Sequence, residues 1–455
     1  MTLLVENVTV PAPPNLPLAP GDYDSRYQEQ FNNVLRLYFN RLDAILRGLV
    51  TTTVPIPISI GGTNTDAFGR LRVSQPYTLF DSQNRYAADN QFDVATTGTG
   101  TTSFLSNEAA VKMEVTGAGV GSVLRQSYRS FPYQPGKGLL VLATFVMDSS
   151  MSLNLTQRVG YYNDQNGVFF QRVDGVYSFV LRSYVTGSVS NVRTVNQEDW
   201  NGDKLDGTGD SGYTLDPSKA QILWMDFEWL GVGSVRCGFI INGQYIVCHT
   251  FNNANEITNV YMTTAILPVR YEIVTTGSAV AASMKAICCS VVSEGGFEQT
   301  SIDHVARRTT VLGTIGSTFL PVVSIRLASG RTGAVVLPNR VQVLPTTNQN
   351  YEVALIKNPT LTAASWTAVP TDSNVEFDVA ATATTGGSIV QTDYVTSTGS
   401  GGVGNTSAAT GYNFDLQLGA TIAGVSDIYT VAVRTVSGAT TGDVVGSLSF
   451  YDLTQ

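Results

Sequence analysis

Two short stretches restrict this chain more than any other feature. "GVFFQRVDGVYSFVLRSY" sets apolar runs on either side of Asp174-Gly175, and "RCGFIINGQYIVCHTF" does the same around Asn242-Gly243. A two-residue loop of this kind needs positive φ at both positions. Asp-Gly and Asn-Gly tolerate that, and the resulting turn matches the twist of two antiparallel strands. Around these turns the sequence reads on as sheet. "GLLVLATFVM" predicts a core strand, "QILWMDFEWLG" carries Trp224 and Trp229 in an apolar run, and "VRYEIVTT" and "MKAICCSVV" predict closing strands. Many strands with polar turns predict a mainly β chain, with a large β-sandwich of jelly-roll type over residues 67–294. A second run ("TFLPVVSIRL", "GAVVLPNRVQVLP", "YEVALIKNP", "DIYTVAVRTV", "VVGSLSFYDL") predicts a C-terminal β-sandwich over 295–455. Within it, "TSTGSGGVGNTSAATG" has the composition of a flexible loop, either idle or facing a partner.

Charge narrows the function classes. Charged residues make up 14% of the chain, against about 25% in ordinary soluble proteins. The net charge is −9 with no basic run, which argues against nucleic acid as a partner and against anionic membranes. No stretch approaches the roughly 18 apolar residues of a membrane span, so no membrane insertion is expected, and "MTLLVENVTVPAPP" lacks the pattern of a signal peptide. Cys237, Cys248, Cys288 and Cys289 match neither a disulfide framework nor a zinc spacing. They read as buried free thiols of a chain folded in a reducing cytoplasm. With only His249 and His304, and no nucleophile elbow, phosphate loop or metalloprotease helix, the expectation is a protein that is not an enzyme and needs no cofactor.

The N-terminal region differs from the rest. Residues 1–23 form a proline-rich arm expected to order only against a partner. Residues 24–50 predict an amphipathic helix in which Phe31, Leu35, Tyr38, Leu42, Ile45 and Leu49 are spaced alternately by four and three. That is a heptad seam, suited to docking or to a small bundle of copies, with a homotrimer as the expected state. A Thr/Pro/Gly linker over 51–66 follows.

Two further stretches supply candidate contacts. "NQEDWNGDKLDGTGDSGYTLDPSKA" places Trp200 beside Asp199, Asn201 and Asp203, the pattern of a sugar-stacking ring flanked by hydrogen-bonding groups. Its aspartates Asp199, Asp203, Asp206 and Asp210 form a weak calcium candidate without the regular calcium-loop spacing. "TNTDAFGRLRVSQPYTLFDSQNRY" reads as an extended strap with Phe68, Arg70, Arg72, Tyr77 and Phe80 as anchors. They would edge the sandwich or touch a neighbouring subunit.

"DAFGRLRVSQPYTLFDSQNRY" resembles a segment of structural proteins of tailed-bacteriophage particles. The resemblance continues in "GDKLDGTGDSGYTLDPSKAQILWMDFEWLGVGSVRCGFIINGQYIVCHTFNNAN", "VYMTTAILPVRYEI", "SIRLASGRTGAVVLPNRVQVL", "KNPTLTAASWTAV" and "SDIYTVAVRTVSG", spread over most of the chain after Thr63. It implies a virion protein of the tail, fibre or baseplate region, assembled in the host bacterial cytoplasm with other phage proteins as partners. It implies no catalytic residues. A capsid-associated decoration or head-fibre protein, and a carbohydrate-binding protein that recognises a host surface glycan, stand as alternatives. A glycan-degrading spike is disfavoured by the lack of short-period repeats.

Overall fold

The computed structural model describes Asp22 and residues 25–51, 75–148, 153–277, 281–298, 301, 303–369, 373–397, 414–436, 438 and 442–454. The arm, most of the linker, the strap residues Phe68, Arg70 and Arg72, and nearly all of the Gly/Ser-rich insert lie outside these residues, as do the side chains of Ile45 and Leu49.

One unit contains the helix α1, Ser25–Thr51. Phe31, Val34, Leu35, Tyr38 and Leu42 are half-buried along one stripe, while Leu37 and Phe39 are exposed. The other unit contains every described strand.

The first part of that unit runs β1 (Tyr77–Gln83), β2 (Phe92–Gly98), β3 (Gly100–Leu105), β4 (Ala110–Val115) and β5 (Gly121–Ser127). It continues with β6 (Leu139–Met147), β7 (Leu155–Tyr162), β8 (Gly167–Val173), β9 (Val176–Ser183) and β10 (Ser190–Asn196). β11 (Gln221–Phe227), β12 (Val235–Ile241), β13 (Gln244–Phe251), β14 (Val269–Thr275) and β15 (Ala282–Ser293) complete it. One sheet has the order β13-β12-β11-β6-β15-β4-β3, with β1 also paired to β15; the other has the order β10-β9-β8-β7-β14-β5-β2. All pairs are antiparallel, so the two sheets form a sandwich. The Asp-Gly and Asn-Gly turns lie where the sequence places them, with φ of 51° and 89° at Asp174 and Gly175 and 51° and 77° at Asn242 and Gly243.

Alternation along the strands fills the space between the sheets. Val141, Ala143, Phe145 and Met147 from β6 meet Val159, Tyr161, Phe170, Phe179 and Leu181 from the opposite sheet. Burial of each large side chain stabilises by about 1.5–3 kcal/mol. β1 carries the described part of the strap: Phe80 is 2% exposed, with its ring 4.7 Å from Phe131, and the Tyr77 ring lies 5.8 Å from Phe297 and 5.9 Å, edge-on, from Phe414. Both rings are spent inside the chain. The thiol expectation needs one correction. Cys237, Cys248 and Cys289 are buried, but Cys288 is exposed because a register shift on β15 between Ala286 and Cys289 breaks the alternation there and leaves Cys288 on the outer face.

After Ser293 the chain builds β16 (Asp303–Ile315), β17 (Leu320–Leu327), β18 (Val336–Pro345), β19 (Asn350–Lys357) and β20 (Thr360–Thr362). β21 (Thr367–Ala368), β22 (Val375–Asp378), β23 (Ala383–Thr385), β24 (Ser388–Thr396), β25 (Ile428–Thr435) and β26 (Gly442–Asp452) follow. A sheet β16-β26-β18 faces a sheet β21-β22-β17-β25-β19-β24 across a second core that includes Val323, Ile325, Tyr351, Val431, Leu448 and Phe450. The two sandwiches are joined directly: Leu337 and Phe414, from the second part of the chain, belong to the core of the first.

Candidate functional site

The junction between the sandwiches is built around the end of β5. Beyond Ser127 the chain leaves the sheet, and Tyr128 and Arg129 reach the segment 414–427. That segment is tied to this stretch by one main-chain and one side-chain bond: Ala420 N donates to Tyr128 O at 2.8 Å, and the Gln417 side-chain Nε2 donates to Ser130 O at 2.7 Å. Ile422 N donates to Asp93 on β2 at 2.7 Å. Gly419 permits the approach, since a Cβ there would lie 2.8 Å from Tyr128 O and 2.9 Å from Tyr128 Cβ.

Clefts open on both sides of Tyr128. One, of about 310 Å³, has Gln126, Asn163, Asp164 and Arg270 on one wall and Thr332, Thr421 and Ile422 on the other. A second, of about 440 Å³, is lined by Asn90, Gln91, Tyr128, Arg129, Lys357 and Asp415. A third, of about 260 Å³, continues past Arg129 and Asp415 to Asp81 on β1. Clefts where two domains meet are common ligand sites.

The charges along this groove are held in place. Arg270 pairs with Asp164 at 2.5 Å and donates from Nε to Gln126 at 2.7 Å. Lys357 pairs with the buried Asp427 at 3.1 Å, and Asn358 holds the other oxygen of that carboxylate at 2.6 Å. Arg129 is 8% exposed, donates to Phe414 O and Gln91 Oε1, and lies over the Phe80 ring. Burial lowers its pKa, with Asp415 opposing, yet a guanidinium keeps its charge. Burial raises the Tyr128 phenol, and the carboxylates of Asp93 and Asp427 push it further up. Behind the groove, Tyr429 Oη and Gln417 Oε1 are buried with no hydrogen-bond partner among the described residues.

The tryptophan loop is a different object from the one the sequence suggests. Trp200 is 2% exposed, its ring lies 4.7 Å from Phe179 of β9, and its Nε1 donates to Val195 O at 3.2 Å. It cannot stack on a sugar. The loop runs beside β13 as an edge cover: Gly202 N and Asp203 N donate to Cys248 O and Val247 O, each at 2.9 Å, and Asn201 exchanges two bonds with Thr250. The calcium candidate is corrected for the same reason. Asp203 accepts from Leu205 N and Ser211 N at 2.8 Å each, and Asp206 accepts from Thr208. Burial raises the Asp203 carboxyl, but those N–H groups outweigh it and hold the pKa below the usual range. Asp199 and Asp210 are exposed, and no group of three or more candidate ligands is close enough to hold a metal among the described residues.

His249 sits under this loop, 7% exposed, with Nδ1 accepting from Asn201 N. Burial, helped by Arg193, brings its pKa down to about 4. Between that value and the unfolded value of about 6.5 the unfolded chain binds more protons, so stability rises with pH in this window. The urea midpoint is expected to fall as pH drops from 7 to 5. His249→Gln should flatten that slope, and an unchanged slope in the variant would refute the assignment.

The groove residues were not singled out from the sequence. Gln91, Tyr128, Arg129, Lys357 and Asp415 are scattered over both sandwiches, and only the unusual "SYRSFPY" after an alternating strand offered a signal.

No protein-family profile and no curated protein sequence matches the chain. Solved structures with a similar fold include the carbohydrate recognition domain of Emp47p, at 8% identity and a TM-score of 0.31, covering 49% of this chain and 98% of that one. A glycoside hydrolase family protein from Mycobacterium thermorestibile has 11% identity and a TM-score of 0.33, covering 47% and 99%. Peanut lectin has 12% identity and a TM-score of 0.26, covering 48% and 98%. Hydrolases thus stand beside lectins among the similar folds. The expectation that the chain is not an enzyme is withdrawn on that finding.

Proposed function

We propose that this chain is a structural protein of a tailed-bacteriophage particle that recognises a surface glycan through the groove around Tyr128. The groove itself carries the reading. Sugars offer dense hydroxyls that both donate and accept, and the lining answers with amides (Asn90, Gln91), cations (Arg129, Lys357), a carboxylate (Asp164) and one half-buried aromatic ring. The segment resemblance supports the virion setting. Two sandwiches that share core residues suit a ligand that spans their seam.

The test is an array of bacterial surface polysaccharides probed with the full chain. Tyr128→Ala is expected to weaken the strongest signal at least about tenfold, the loss of roughly 1.4 kcal/mol, with an unchanged melting temperature. A variant that binds as well as the parent would remove the groove from consideration. Peptides of the chain are expected in purified particles, and release of reducing ends from the bound polysaccharide reads whether it is also cut.

A further inference from the structure

We propose that the glycan is acidic, and that Arg129 pairs with its carboxylate; this rests on the glycan reading above. The argument is one of charge balance along the groove. Arg270 has Asp164 at 2.5 Å, and Lys357 has the buried Asp427 at 3.1 Å. Arg129 differs. Its side chain is only 9% exposed, yet the acceptors of its guanidinium are neutral, the carbonyl of Phe414 and the amide oxygen of Gln91. The carboxylate in ion-pair range among the described residues is Asp415, 3.7 Å away with its side chain 87% exposed. A pair so long and so wet compensates a buried cation poorly.

The guanidinium also has donors to spare. It carries five N–H groups, of which these two acceptors take two. It lines both the 440 Å³ and the 260 Å³ clefts, and the Phe80 ring, 5.3 Å from its central carbon, fixes the plane of the fork. A planar, oriented guanidinium at the wall of an open cleft matches a carboxylate, which takes two parallel N–H bonds, better than a neutral hydroxyl. Asp415 then acts as a competitor that an incoming carboxylate displaces from Arg129.

The probe is the polysaccharide array, each member printed in its native form and after chemical reduction of its uronic acids to neutral sugars. Native uronic-acid polymers are expected to bind, and carboxyl reduction to weaken them at least about tenfold, as for loss of one charged partner. Arg129→Lys should do the same, but Arg129 also bridges Gln91 and Phe414, so a second variant is needed. Asp415→Asn removes the competitor at an exposed position and is expected to strengthen binding severalfold, an effect that damage to the fold does not produce. Equal binding to reduced polymers, binding confined to neutral or sulfated polymers, or an Asp415→Asn variant no tighter than the parent would each overturn the acidic-ligand proposal while leaving glycan recognition standing. Silence across the whole array overturns both.

Discussion

Trp200→Ala is expected to destabilise the large sandwich by about 3–5 kcal/mol, the range for truncating a buried aromatic. The ring is 2% exposed against Phe179, and its Nε1 satisfies Val195 O. Alanine would leave a cavity under the loop and an unsatisfied carbonyl. The same loop covers the open edge of β13 through Gly202 and Asp203. Its loosening would expose strand edge, so aggregation on heating is expected as well. Glycan binding at temperatures where the variant stays folded should be unaffected. Phe179 lies on β9, and Tyr128 and Arg129 follow the end of β5, with β8, β7 and β14 between those two strands. Urea titration with parallel binding measurements checks both halves. An unchanged midpoint, or a folded variant that has lost its ligand, would refute this assignment and return Trp200 to the binding site.

A comparable loss is expected from Arg236→Met. Asp226 on β11 is fully buried, and Arg236 faces it in register on β12. The guanidinium donates from Nε to one carboxylate oxygen at 2.8 Å and from Nη2 to the other. Removing the cation takes two charge-assisted hydrogen bonds from a buried carboxylate, which costs about 3–5 kcal/mol. The double variant Asp226→Leu/Arg236→Met should recover most of that loss, because replacing both partners of a buried pair with apolar groups is close to neutral. Chemical denaturation of the two single variants and the double one reads the coupling. A single variant costing under about 1 kcal/mol would mean that the pair is solvated, contrary to its burial.

These two residues show where reading the sequence succeeds and where it stops. The hairpins at Asp174-Gly175 and Asn242-Gly243 were legible because a two-residue turn is a local steric matter. Helix α1 was legible because its stripe recurs within one element. Tyr77 and Phe80 were legible as anchors of an extended segment. Trp200 was not. A tryptophan among aspartates and glycines has the composition of an exposed loop, and only the path of that loop along β13 puts the ring beneath it.

Little of the groove was legible. Gln91, Lys357 and Asp415 lie on segments whose local patterns are ordinary, and only "SYRSFPY", which carries Tyr128 and Arg129, stands out. Alternation states which face of a strand is apolar but not which strand lies beside it, as β15 illustrates by pairing with β1, β4 and β6 along one length.

By itself, then, the amino-acid order determined that this chain is mainly antiparallel sheet with one leading helix, since turn stereochemistry and side-chain period act over a few residues. Tertiary structure alone decided that Trp200 is core, that the loop aspartates bind their own backbone, and that Arg129 stands at an open cleft. Each of those outcomes depends on which distant segments exclude water from a side chain, and exclusion of water is a property of the assembled fold.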